Sequence, residues 1–136
     1  MIGLDTNVLV RYFAQDDPVQ AKLAERVIDG LTVESRGYVS LVSLVELCWV
    51  LVRAYELDRQ RTADIVERLL ESSEIAVNRS DAVRRALRTY RRSTADMADC
   101  LIDCLGTEDG CDTTLTFDVR AARDTGMTLL DASVLR

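Results

Sequence analysis

Residues 1–13 read MIGLDTNVLVRYF. Residues 2–4 are short and apolar, as a strand buried in a sheet is. Asp5 then interrupts, and apolar residues resume at Val8, which predicts a helix from about Thr6 to Phe13. One acid at a strand end means little, since every strand must end. Its weight depends on whether other acids converge on it.

The same alternation continues outward. Asp17 before Pro18 predicts a capped helix running to about Ile28. Residues 37–40 read as a second strand, and Ser43 opens an apolar helix, SLVELCWVLVRAY, that ends near Tyr55. Asp58 caps DRQRTADIVERLLES, Ile75–Val77 is a third strand, and Ser80 or Asp81 starts DAVRRALRTYRR. Another helix runs from about Asp96 to Thr107. Residues 113–117 form a fourth strand, Asp118 begins a short helix ending near Gly126, and residues 128–130 form a fifth strand. Short apolar strands alternating with helices predict a parallel sheet covered on both faces. No repeat or linker interrupts the chain, so residues 1–136 read as one domain.

Composition excludes several chemistries. There is no histidine, which removes every Ser–His and Cys–His mechanism and the usual neutral-pH proton shuttle. Cys48, Cys100, Cys104 and Cys111 form no C-x-x-C pair. Cys100 and Cys104 lie one helical turn apart, yet without histidine or a second pair they read as reduced, mostly buried thiols, not a zinc site. No apolar run reaches the ~18 residues of a membrane span. Asp5 also interrupts the start too early for a secretory segment, so a soluble cytoplasmic protein with no membrane partner is expected. The net charge of −6 argues against a nucleic-acid partner, but 16 of the 17 basic residues are arginine, Lys22 being the exception. Arginine's planar fork suits phosphate, and a GC-rich genome biases composition the same way.

Asp5 and Asp118 fall at the carboxyl ends of two expected strands, where open α/β sheets bind ligands. Two readings of Glu46 stand side by side. Ser43-x-x-Glu46 is a capping box, which accounts for the glutamate structurally. Its setting, SLVSLVELCWVLV, is the most hydrophobic stretch of the chain, and an acid buried there would need a partner. In TADMADCLIDCL, Asp96 as a cap places Asp99 in the first helical turn, where the helix dipole favours negative charge. Two carboxylates ~4 Å apart repel by ~1 kcal/mol in water and by ~4 kcal/mol at an effective dielectric near 20. Gathered acids therefore take up protons or a cation. Oxygen-only donors favour Mg²⁺ or Mn²⁺ over zinc.

DTNVLVRYF, VELCWVLVRAY, ADCLI and GCDTTLTFD, in this order over nearly the whole chain, resemble a PIN domain. The likeness is greatest to a VapC-type ribonuclease toxin of the VapBC toxin–antitoxin systems. That resemblance implies a three-layer α/β/α fold with a short parallel sheet of about five strands in the order 3-2-1-4-5. It implies an acidic quartet of Asp5, Glu46, Asp99 and Asp118, with Asn7 and Thr116 supporting it by hydrogen bonds. Asp5 and Asp99 would hold the principal metal, Asp118 would complete or share its shell, and Glu46 would hold a ligand water or second metal. Ser43 and Asp96 are expected as capping or supporting groups, with Asp96 the alternative to Asp99 as third ligand, since some relatives carry acids at both places. The activity implied is Mg²⁺- or Mn²⁺-dependent hydrolysis of RNA, tRNA or ribosomal RNA among relatives, leaving 5′-phosphate and 3′-hydroxyl ends. The partners implied are a second copy and a small VapB-like antitoxin whose C-terminal segment crosses the site. A catalytically silent PIN-like module that binds RNA or protein is the competing reading.

Arg84, Arg88 and Arg91 lie on one stripe of DAVRRALRTYRRS, with Arg85 and Arg92 beside it. A solvated basic face and a phosphate-tracking RNA surface both fit this stripe. Tyr90 fits either a stacking or a core role. Asn7 stands where a haloacid-dehalogenase-type phosphatase would want its second aspartate, and the lack of a late lysine speaks against a response-regulator receiver.

Overall fold

Short acceptor side chains set most of the helix starts. Asp5, Asp17, Ser40, Asp58, Asp96 and Asp118 each sit just outside a helix in extended backbone and accept a backbone N–H from its first turn. The computed structural model describes residues 1–135. In chain order its elements are β1 (Ile2–Gly3), α1 (Thr6–Ala14), α2 (Pro18–Asp29), β2 (Gly37–Val39), α3 (Leu41–Arg53), α4 (Arg59–Glu71), β3 (Ile75–Val77) and α5 (Ser80–Arg91). There follow α6 (Met97–Glu108), β4 (Leu115–Thr116), α7 (Val119–Asp124), β5 (Thr128–Leu129) and a 3₁₀ turn over Ala132–Leu135. The chain is therefore mixed α/β with short parallel sheets. Among the described residues no helix is long and apolar enough to cross a membrane.

The backbone divides into two compact units, Met1–Ser80 and Asp81 onward. In the first, β1, β2 and β3 form a parallel sheet in the order β1-β2-β3, with Ile2 opposite Gly37 and Gly37 opposite Ile75. α1 packs on α2 and α3, α3 on α4, and α4 on β3. The buried stripe of α3 is Leu44, Leu47, Cys48 and Leu51, at helical spacing. Burying each leucine there contributes roughly 1.5–3 kcal/mol. Burial also pushes the Cys48 thiol up to about 12, so it stays protonated. α1 ends on Gln15 in the left-handed region, φ 56°, where its N–H closes on the Arg11 carbonyl.

In the second unit β4 and β5 pair in parallel, Leu115 opposite Thr128, and α7 packs on both. Thr94 donates its N–H and hydroxyl to Asp124 Oδ2 at 3.0 and 2.7 Å, fastening the end of α7 to the segment before α6. Asp103 Oδ2 accepts the Gly126 N–H at 2.9 Å, and a side chain at Gly126 would place its Cβ 2.9 Å from that oxygen.

Several expectations need correction. The strands form two separate sheets among the described residues, a three-stranded and a two-stranded one, not a continuous five-stranded sheet in the order 3-2-1-4-5. β1 and β4 contain only two residues each, too few to carry an extended ladder. α3 opens at Leu41 on a Ser40 cap, not at Ser43, because β2 ends at Val39 and the chain turns directly into the helix. The thiols are not mostly buried: Cys48 and Cys100 are buried, Cys104 is intermediate, Cys111 is exposed, and all are free.

Candidate functional site

Asp96 starts the acid-bearing end of the second unit. Its Oδ1 accepts the Asp99 N–H at 2.8 Å, which makes Asp99 the third residue of α6, in the turn where unpaired N–H groups point outward. Cys100 and Leu101 beyond it are buried, so Asp99 is half-buried while Asp96 is exposed. The Asp99 carboxyl is pushed up to about 6, first by burial, then by the charge of Asp96, a hydrogen bond shared with Asp96, and the charge of Asp118. A hydrogen bond between two carboxyl groups needs a proton on one of them, which is why the contact with Asp96 raises the Asp99 carboxyl.

Asp118 follows β4 and caps α7. Its Oδ1 accepts the Ala121 N–H at 3.0 Å, and its own N–H donates to Thr116 Oγ1 at 3.0 Å. Thr116 thus fixes the backbone of Asp118. Phe117, Val119 and Arg120 around it are exposed.

In the first unit Asp5 follows the buried Leu4, and its Oδ1 accepts the Thr6 N–H at 2.8 Å. Asn7 is exposed in the first turn of α1 and lines a groove of about 330 Å³ between α1 and α2, with Val8, Leu23 and Val27 among its walls. Arg11, one turn after Asn7, lies in the same groove and was not singled out in the sequence. Its Nε donates to Gln20 at 2.7 Å and its Nη1 to Asp16 and to the Tyr55 hydroxyl, both at 3.2 Å. The signal was available: Arg11 is the only charged residue of an otherwise apolar and polar helix, at i+4 from Asn7.

Glu46 is the sixth residue of α3 and is exposed. Both sequence readings of it change. The capping box is absent: Ser40, not Ser43, is the cap, and Ser43 donates its N–H to Ser40 Oγ at 3.1 Å. The apolar surroundings are split by the helix, with Leu44, Leu47 and Cys48 turned inward, whereas Val42 and Trp49 are 78% and 61% exposed on the side that carries Glu46. Burial therefore supplies no demand for a partner at Glu46.

The donor set is oxygen only. Among the described residues no group of three or more His, Cys, Asp or Glu side chains is gathered closely enough to hold a metal ion. What the second unit brings together is the Asp96–Asp99 pair, with Asp118 sensed through its charge. That chemistry fits a hard divalent cation, since a cation relieves the same repulsion that the shared proton relieves. Tyr90 is 2% exposed and belongs to the core, so it presents no ring for stacking.

A model of the PIN domain family matches residues 2–125 of the chain, spanning both compact units and every acid described above. No curated protein matches the chain significantly.

Proposed function

The chain belongs to the PIN domain family, generally metal-dependent nucleases, and from that premise we propose that it is an Mg²⁺- or Mn²⁺-dependent endoribonuclease and the toxin of a VapBC-type pair. The observation that carries the reading is the lifted Asp99 carboxyl beside Asp96 and Asp118, at a helix start inside the matched region. We take both compact units as one PIN domain, 1–136, with Asp5, Glu46, Asp99 and Asp118 as its acidic quartet. Asp5 and Asp99 would hold the principal metal, Asp118 would complete or share that shell, and Glu46 would hold a ligand water or a second metal. When bound, the cation supplies charge neutralisation at the phosphate and a more acidic water.

The chain's own residues do the positioning. Asp5 and Asp118 each give one oxygen to a helix N–H, which leaves the second oxygen for a ligand and removes rotamer freedom from the first. Thr116 holds the Asp118 backbone, and Asp96 holds the first turn of α6 that carries Asp99. RNA, tRNA or ribosomal RNA, is the substrate. In this reading the protein is a cytoplasmic homodimer. The C-terminal segment of a small antitoxin lies across the site, and the apolar groove beside Asn7 supports a peptide partner.

One observation favours a second reading, a PIN-like module that binds RNA or protein without cutting: no three acids are drawn together among the described residues. A single assay separates the two. Total RNA is incubated with purified protein and Mg²⁺ or Mn²⁺, beside an EDTA sample and the Asp5→Asn variant. Metal-dependent cleavage by the wild type alone, leaving 5′-phosphate ends, is expected. Cleavage in all three samples would mark a contaminant, and cleavage in none would leave the binding module.

A further inference from the structure

We propose that the exposed face of α5 is a phosphate track that leads an RNA strand toward the acid pair at the start of α6. The inference rests on the RNA-cleaving reading above and adds to it the surface that carries the strand.

α5 buries Ala82, Val83, Ala86, Leu87 and Tyr90, which fixes its other face outward. That face carries Arg84, Arg85, Arg88 and Arg91, followed by Arg92, against a single acid, Asp81. Like charges three and four residues apart destabilise a helix, so such a row gains from an external polyanion. It is also at odds with a chain whose net charge is −6.

The row has a direction. Arg85 pairs with Glu108 at the end of α6, and the charges of Arg85 and Arg88 both act on Cys104, one turn earlier. α5 ends at Arg91 and α6 starts at Met97, so only a few residues of chain separate Arg91 and Arg92 from Asp96 and Asp99 at the start of α6. Arg84 and Arg88 lie ~6 Å apart along the axis, and Arg92 follows one residue past the helix end. A strand held along them by its phosphates is delivered to the carboxylates. Phosphate contacts of this kind fix position and register without reading sequence.

Arg84 and Arg91 make contacts of their own, so the test is placed on Arg88 and Arg92. The full-length Arg88→Gln/Arg92→Gln variant and the wild type are titrated against a fluorescein-labelled single-stranded RNA in EDTA, over a series of KCl concentrations. The double variant is expected to bind about tenfold more weakly at low salt, with the slope of log affinity against log salt reduced by about 0.7 per arginine removed. Lys22→Gln/Arg26→Gln, two exposed cations on α2, is expected to match the wild type. Equal loss in both double variants, or no loss in Arg88→Gln/Arg92→Gln, would overturn the track. So would wild-type binding to phosphatidylserine vesicles with none to RNA. Cleavage is scored separately with Mg²⁺. A wild type that cleaves RNA while Arg88→Gln/Arg92→Gln keeps its affinity refutes the track alone. Arginine-dependent binding with no cleavage refutes the nuclease reading alone.

Discussion

α3 and α6 start the same way and present their acids differently. Each opens on a short side chain that accepts the N–H of the third helical residue, Ser40 for Ser43 and Asp96 for Asp99. At α6 that third residue is itself the acid, half-buried, and beside a second carboxylate. At α3 the acid is Glu46, a full turn deeper into the helix, on a solvated face between Val42 and Trp49. A carboxylate acquires unusual chemistry from its place relative to the cap and its neighbours, and a hydrophobic neighbourhood in sequence is a poor guide to that place.

The largest effect expected of this contrast is on cleavage. Asp99→Asn should lower metal-dependent RNA cleavage by roughly 100-fold or more, as loss of a principal charge-stabilising group does. Glu46→Gln, acting through a bound water or a second ion, should cost about 10- to 100-fold. Measured kcat/KM values in the opposite order would reverse the ranking of the two helices.

The caps come next. Ser40→Ala should destabilise the protein by about 1 kcal/mol in urea unfolding, because it strips the acceptor from the Ser43 N–H. Ser43→Ala should stay within about 0.5 kcal/mol, since Ser43 is not the cap. Equal losses would restore Ser43 to a capping role.

Smallest is the pH dependence of the acid pair itself, in EDTA. Asp99 titrates at about 6 in the folded chain against an ordinary 3.8, so the folded state holds that proton more tightly than the unfolded one. The stability it contributes is complete below about pH 4 and is lost as pH rises through about 6. Asp99→Asn removes that loss. The variant should match the wild type near pH 4 and exceed it near pH 7 by on the order of 1 kcal/mol, after allowance for solvent screening. A stability difference that does not change between those two pH values would show that burial, Asp96 and Asp118 together leave the Asp99 carboxyl unshifted.

Sequence patterns located nearly every element, because caps and breakers act over three or four residues. Asp17-Pro18, Asp58 and Asp96 start α2, α4 and α6 as their chemistry requires. The failures involve choices that local chemistry leaves open. SLVSLVE offers two serines with near-identical surroundings, and the end of β2 at Val39 decides for Ser40. The expected five-residue fourth strand shrinks to Leu115–Thr116 because its pairing partner, β5, spans only two residues. α7 stops at Asp124, short of Gly126, where Asp103, 23 residues earlier, takes the Gly126 N–H. The final 3₁₀ turn was missed although Asp131 signals it by accepting the Ser133 N–H at 2.8 Å. Of the candidate site, acids at strand ends and helix starts could be singled out from the sequence, and their grouping as a quartet rests on the family resemblance. The solvent exposure of Glu46 and the sharing of a proton at Asp99 depend on which residues lie across from them.

The capping bonds at Asp5, Asp96 and Asp118 also limit which acids those positions tolerate. Each side chain reaches an amide one to three residues ahead with a single methylene between backbone and carboxylate. Glutamate would keep the charge, but its longer arm fits that reach poorly, so exchanging the two acid types loosens the helix start along with the donor. Glu46 carries no such duty, and aspartate there forfeits only length. The proposed quartet thus contains two anchored short arms, Asp5 and Asp118, a third, Asp99, in a turn that Asp96 anchors, and one long arm without a capping bond, Glu46, an asymmetry that a library of Asp–Glu exchanges at these positions and at Asp96 would expose directly.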